Sequence, residues 1–214
     1  MNVRAVIASA AITGALGVAA VGAVTAANRV EPAPRPKQGA APWPAPPDPL
    51  RLTRAAGLAP ERKESLTFHV HAHLDVYVNG KHVIVPAGIG INIKDPGVHS
   101  GPNPDGSTGY GGIRLCATPC ISPLHTHDDS GILHTESATA VPNRLGQFFT
   151  EWHVRLGRNC VGGYCRPRNI QFYVDGKPYT GDPRKIPMTP HADIVIEAGP
   201  PFPKPPVFTN WGTL

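Results

Sequence analysis

Between Thr67 and Val78 the chain alternates strictly. Phe68, Val70, Ala72, Leu74 and Val76 occupy one set of positions, and His69, His71, His73 and Asp75 the other. Side chains in a strand point alternately to its two faces, so the pattern predicts a strand with one packing face and one face of imidazoles and a carboxylate. Asn79-Gly80 follows, then the apolar-rich Lys81–Val85, a hairpin signal in which both turn residues tolerate positive φ. Ile170–Val174, Asp175-Gly176 and Lys177–Tyr179 repeat that signal, and Ala192–Ala198 reads as a final strand stopped by Gly199. Leu145, Phe148, Phe149 and Trp152 recur at i, i+3, i+4 and i+7 after Asn143, a capping residue. They predict one amphipathic helix whose aromatic face packs on a sheet. Lys94–Gly112 is rich in Gly, Pro, Asn and Ser and reads as a long loop. The expected fold is therefore mainly β, a single small domain of antiparallel hairpins with one amphipathic helix.

What precedes this domain is different in kind. Ala5–Ala27 is an uncharged run of 23 residues after Arg4. A run of this length can span a bilayer, and the basic flank keeps its start in the cytoplasm. Residues 1–30 are thus read as a transmembrane anchor or a signal peptide, cleaved near Val24–Ala27 in the second case. Both put the remainder outside the cytoplasm: on the cell membrane if anchored, secreted if cleaved. In Glu31–Leu50 eight of twenty residues are proline, the composition of an extended spacer. Residues 51–64 read as a short lead-in, 65–199 as the folded domain and 200–214 as a proline-rich surface tail.

Twenty Lys and Arg against fifteen Asp and Glu give a formal net charge of +5. The basic residues are scattered singly, with no basic stripe interleaved with aromatics, which argues against a nucleic-acid partner. Cys116, Cys120, Cys160 and Cys165 are even in number, and an oxidising compartment favours two disulfides over a four-cysteine zinc site. Three connectivities are possible. Local pairs close very short loops, whereas a link from the 116–120 segment to the 160–165 segment would restrict more chain entropy.

Ten histidines are the larger departure. Besides His69, His71, His73 and Asp75, a second cluster runs His125-Thr126-His127-Asp128-Asp129 and His134-Thr135-Glu136. A hairpin about Asp128–Gly131 would set His125 and His127 on one face of its first strand, and His134 and Glu136 on one face of its second. Imidazole suits zinc and copper, and three or four such donors complete a coordination shell. His69, His71, His73, His125, His127 and His134 are the candidate ligands, with Asp75, Asp128 and Glu136 as ligand or supporting carboxylates. Only Met1 and Met188 are methionines, which argues against a thioether Cu(I) site, so Cu(II) or Zn(II) is expected. His82, His99, His153 and His191 are isolated.

The segments HVHAHLDVYVNGK, VPAGIGI, PLHTHDDSGILHTES and LGQFFTEW, in this order, resemble an uncharacterised family of secreted or membrane-anchored bacterial and archaeal proteins. The resemblance covers about Phe68–Gly199. It implies motif order and domain limits, not an activity. Three functions remain open: a metal-binding module for metal handling or sensing, a metal-dependent hydrolase or oxygenase with Asp128, Asp129 or Glu136 as general base, or a non-metal structural or partner-binding module. No phosphate loop, dinucleotide fingerprint or serine nucleophile elbow is present.

Overall fold

The computed structural model describes residues 35–36, 39–140, 143–166 and 169–211. The expected anchor or signal segment lies outside them. Among the described residues no helix is long and apolar enough to cross a membrane.

In chain order the elements are helix α1 (Pro49–Ala55), strands β1 (Phe68–Val78), β2 (Lys81–Val83), β3 (His99–Pro102), β4 (Thr108–Gly111), β5 (Leu124–His125) and β6 (Ile132–Ser137), and helix α2 (Leu145–Glu151). They continue with β7 (Leu156–Gly157), β8 (Cys160–Val161), β9 (Tyr164–Cys165), β10 (Ile170–Val174), β11 (Lys177–Pro178), a 3-10 turn over Pro183–Lys185 and β12 (Asp193–Ala198). The chain is mainly β, as its alternation predicts. The principal sheet runs β11-β10-β12-β1-β6-β5, with β2 also paired to β1.

Both expected Asx-Gly hairpins form. Asn79 and Gly80 take φ of 50° and 73°, Asp175 and Gly176 take 52° and 70°, the left-handed values such two-residue turns require. The expectation of antiparallel hairpins alone needs correction. β1 and β12, the first and last strands, lie side by side and parallel, with His73 opposite Asp193 and Val78 opposite Ala198. Hairpin signals report only neighbours in sequence, so this long-range pairing left no local mark. β12 is buried along its whole length, as expected of a strand inside a covered sheet.

Ala72, Leu74 and Val76, on the apolar face of β1, are fully buried with Leu133 and Ile194. α2 closes over them with Leu145, Phe148, Phe149 and Trp152. Arg144 begins the helix, and the Gln147 side chain accepts its N–H. Asn143, the expected cap, is instead buried, and its amide donates to Pro123 O and Thr135 Oγ1. The spacer reading also ends too late. Trp43 is in the core, edge-on to Trp152 at 5.7 Å, and its carbonyl accepts the Trp152 indole N–H. A lone tryptophan among prolines carries no periodicity, and only tertiary packing reveals its role.

Two further differences follow from short-range structure. The 94–112 segment contains the β3–β4 hairpin, whose glycines and prolines obscure any alternation. The disulfides are local, Cys116–Cys120 and Cys160–Cys165, rather than a link between the two segments. Cys160 and Cys165 are facing residues of β8 and β9, while Cys116 and Cys120 sit in a small second core with Ile91, Ile113 and Ile121. The Cys116–Cys120 loop grips the lead-in: Cys116 N–H donates to Arg62 O, Cys120 N–H to Glu61 O, and Arg62 Nε to Cys116 O. The 61–64 segment thereby becomes part of the site wall.

Candidate metal centre

The imidazole face is built by register. His134 on β6 stands opposite His71 on β1 and opposite His125 on β5, so three imidazoles form one transverse row across three strands. The next row holds His69 opposite Glu136. His127 follows β5 two residues beyond His125 and rejoins the same face. Thr126 points the other way: its hydroxyl donates to Pro86 O and accepts from Ile89 N–H inside the protein. Gly131 lets the β5–β6 connection lie against β1. Its φ is 84°, and a Cβ there would fall 2.8 Å from Leu74 O.

The donors converge. Glu136 Oε1 lies 3.2 Å from His69 Nε2, 3.5 Å from His134 Nδ1, 3.8 Å from His127 Nε2 and 3.9 Å from His125 Nε2. His71 Nε2 is 3.0 Å from His134 Nδ1, and His125 Nε2 is 3.2 Å from His127 Nε2. His125, His127, His134 and Glu136 bring one ligand atom each to within 4.8 Å of one another, and so do His69, His71 and His134. Nitrogens ~2.0–2.1 Å from a tetrahedral ion sit about 3.3 Å apart, close to the separations of the His71–His134 and His125–His127 pairs. The outer nitrogens are also fixed. His125 Nδ1 faces Ser122 O at 2.8 Å and His127 Nδ1 faces Tyr110 O, which turns each Nε2 toward the cluster.

Burial sets the electrostatics. It drives the His71 imidazole down to about 4, helped by the nearby His134 and His69. His125, wholly buried, is held well below the ordinary imidazole value for the same reason, with His127 and His134 adding to the effect. His134 is also lowered, chiefly by burial, against the pull of Glu136. His127 goes the other way: burial opposes its charge, but Glu136, the Tyr110 carbonyl and Glu64 together raise it. Burial pushes the Glu136 carboxyl up, yet hydrogen bonds from His127 and His134 hold it well below the usual carboxylate range. His71, His125 and His134 are therefore held toward the neutral form around one carboxylate, the form in which an imidazole ligates a cation.

Three sequence candidates stand apart from this cluster. His73 is buried two residues further along β1, with Nδ1 3.4 Å from Asp193 Oδ1 and Nε2 3.2 Å from Ser130 O. Phe208 from the tail stacks on its ring at 3.7 Å, and Phe208 N–H donates to Asp193 Oδ2. Asp75 pairs with His82 at 2.9 Å across the β1–β2 hairpin and so raises the His82 imidazole. Asp128 accepts from Ser130 N–H and Oγ and shapes the turn. Alternation assigned the face correctly, but it carries no information on what closes over each end of a strand.

Glu64 was missed, placed just before the expected domain start. Its Oε1 lies 3.9 Å from His127 Nε2, and burial, then the charge of Glu136, raises its carboxyl. No local pattern in the sequence marks it, because its contact with His127 joins segments far apart in the chain. Beside His127 a cleft of about 560 Å³ opens, lined by Glu64, His99, Asn103, Tyr110, His127 and Asp128 among others. The β3–β4 hairpin supplies one wall, so the segment read as a loop borders the cluster.

No protein-family model, no curated protein and no solved structure matches the chain.

Proposed function

We propose that the chain is an extracytoplasmic metal-binding domain for Cu(II) or Zn(II), serving metal handling or sensing, and held on the membrane by Ala5–Ala27 through the proline-rich spacer. One observation carries the reading: a buried carboxylate oxygen with four imidazole nitrogens 3.2–3.9 Å away. Left without a positive partner, such a group of buried donors is costly, and bound cations offset that cost. Two disulfides are consistent with an oxidising compartment. A structural or partner-binding role for the histidines would call for dispersed side chains, and convergence argues against it.

The cleft beside His127 supports a second reading, a metal-dependent hydrolase or oxygenase. In it Glu64, with its raised carboxyl beside an imidazole, is the group able to take up or give a proton next to bound substrate.

Metal content of the full chain, purified without a polyhistidine tag, tests the first reading, together with isothermal titration of Zn(II) and Cu(II). His71→Ala and His127→Ala should each lower affinity at least tenfold, while His82→Ala should leave it unchanged. Wild-type affinity and stoichiometry in both cluster variants would overturn the assignment.

A further inference from the structure

Five imidazoles and a carboxylate are more than one tetrahedral ion takes. They are also spread too widely for one octahedral ion, whose opposite donors at ~2.1 Å stand only about 4.2 Å apart. Among the described residues, the donors fall into two sets joined by His134, and neither 4.8 Å set takes in all six residues. Within that spread are two close imidazole pairs, His125 with His127 at 3.2 Å and His71 with His134 at 3.0 Å. Glu136 lies between them. Its Oε1 is 3.8 Å and 3.9 Å from the first pair, 3.5 Å from His134 and 3.2 Å from His69. Its second oxygen, Oε2, is buried and has no hydrogen-bond partner.

A buried carboxylate oxygen without a partner needs an explanation, and a cation is a common one. We infer that the cluster is a two-ion centre for first-row divalent cations, one ion held by His125 and His127, the other by His69, His71 and His134, with Glu136 bridging the two. The inference rests on the metal-binding reading above and adds the number of ions and the division of ligands. Oε1 is the oxygen that approaches imidazoles of both sets, and the buried Oε2 beside it has no other partner to satisfy it than an ion. The single negative charge of Glu136 lies where two positive ions would otherwise repel. Paired ions about 3.5–4 Å apart with shared ligands are an established arrangement in proteins. The His125–His127 ion would be the one nearer the cleft, since His127 lines it.

Stoichiometry and magnetism test this. The full chain, saturated with Cu(II) and desalted, is analysed for metal per protein and by electron paramagnetic resonance. Two ions per chain are expected, with fewer spins than copper atoms and a half-field transition from coupling through the carboxylate. His69→Ala/His71→Ala should retain one ion and give an ordinary, uncoupled Cu(II) spectrum; a Zn(II) titration should likewise drop from two equivalents to one. One equivalent in the wild type at saturation would overturn the two-ion centre and leave the metal-binding reading standing. No retained metal would remove both. The wild-type result decides the count even if the double variant folds poorly.

Discussion

His71 and His134 face each other across β1 and β6 with their nearest ring nitrogens 3.0 Å apart, a separation that only one proton between them, or a cation beside them, makes favourable. Two protonated rings at that distance would repel in a place where burial already disfavours charge. The metal-free domain should therefore be acid-sensitive. Burial holds His71 at about 4, below its unfolded value, and lowers His125 and His134 as well. Each such group contributes stability that is full above pH ~6.5 and is lost as pH falls through its lowered folded value. His127, raised, works in the opposite sense, its contribution present in acid and lost above its folded value, so it offsets only part of the loss. Urea midpoints measured without metal should fall between pH 7 and pH 4.5. His71→Asn should remove about 1–2 kcal/mol of that fall, solvent screening included. A flat profile would contradict the burial argument.

Metal binding should release protons near neutral pH, and His127 is their principal source. Its raised imidazole is partly protonated where His71 and His125 are already neutral. Titrations at pH 7 in buffers of different ionisation enthalpy should show a fractional proton leaving on Zn(II) binding. Affinity should decline with a slope of about one proton as pH falls below the raised His127 value, and steepen only toward pH 4, where His71 protonates.

Glu151 offers a test away from the cluster. It is fully buried on α2, near Ser122 and Thr53, and both of its oxygens lack a hydrogen bond of normal geometry. Burial raises its carboxyl to about 8. The stability it contributes as a neutral acid is complete below pH ~4.5 and is lost as pH rises through 8. Glu151→Gln, equal in size and neutral, should leave stability at pH 5 little changed and raise it at pH 9 by on the order of 3 kcal/mol. Chemical denaturation at the two pH values reads the difference.

Periodicity made the histidine face legible because a period of two is a local property: residues 69, 71 and 73 share a side whatever the rest of the chain does. The same locality explains what stayed hidden. The parallel β1–β12 pairing, the tail residue Phe208 over His73 and the placement of Glu64 beside His127 all depend on contacts between distant segments. Trp43 belongs with them. Trp43→Ala should cost about 3–5 kcal/mol, the range for emptying a buried aromatic site, although its neighbours in sequence read as spacer. Thermal or urea denaturation of this variant, in the full chain, checks the core assignment; a change under 1 kcal/mol would return the residue to the spacer.

The Cys116–Cys120 disulfide should matter to the site beyond its contribution to stability. Closing a five-residue loop restricts the unfolded chain by about 2 kcal/mol, and Cys116→Ser/Cys120→Ser should lose roughly that amount. The loop also holds the lead-in through hydrogen bonds to Glu61 and Arg62, and Ile113 N–H donates to Glu64 Oε1. Loosening it frees Glu64 from His127 and removes one of the three groups that raise the His127 imidazole. The His127 value should then move down toward the ordinary imidazole value, while that of His82, paired with Asp75 at the far end of β1, should not move. Proton nuclear magnetic resonance titration of the imidazole signals, with and without the disulfide, measures both in one experiment. Equal shifts at His127 and His82 would indicate a general loss of packing; no shift at His127 would show that the loop does not position Glu64.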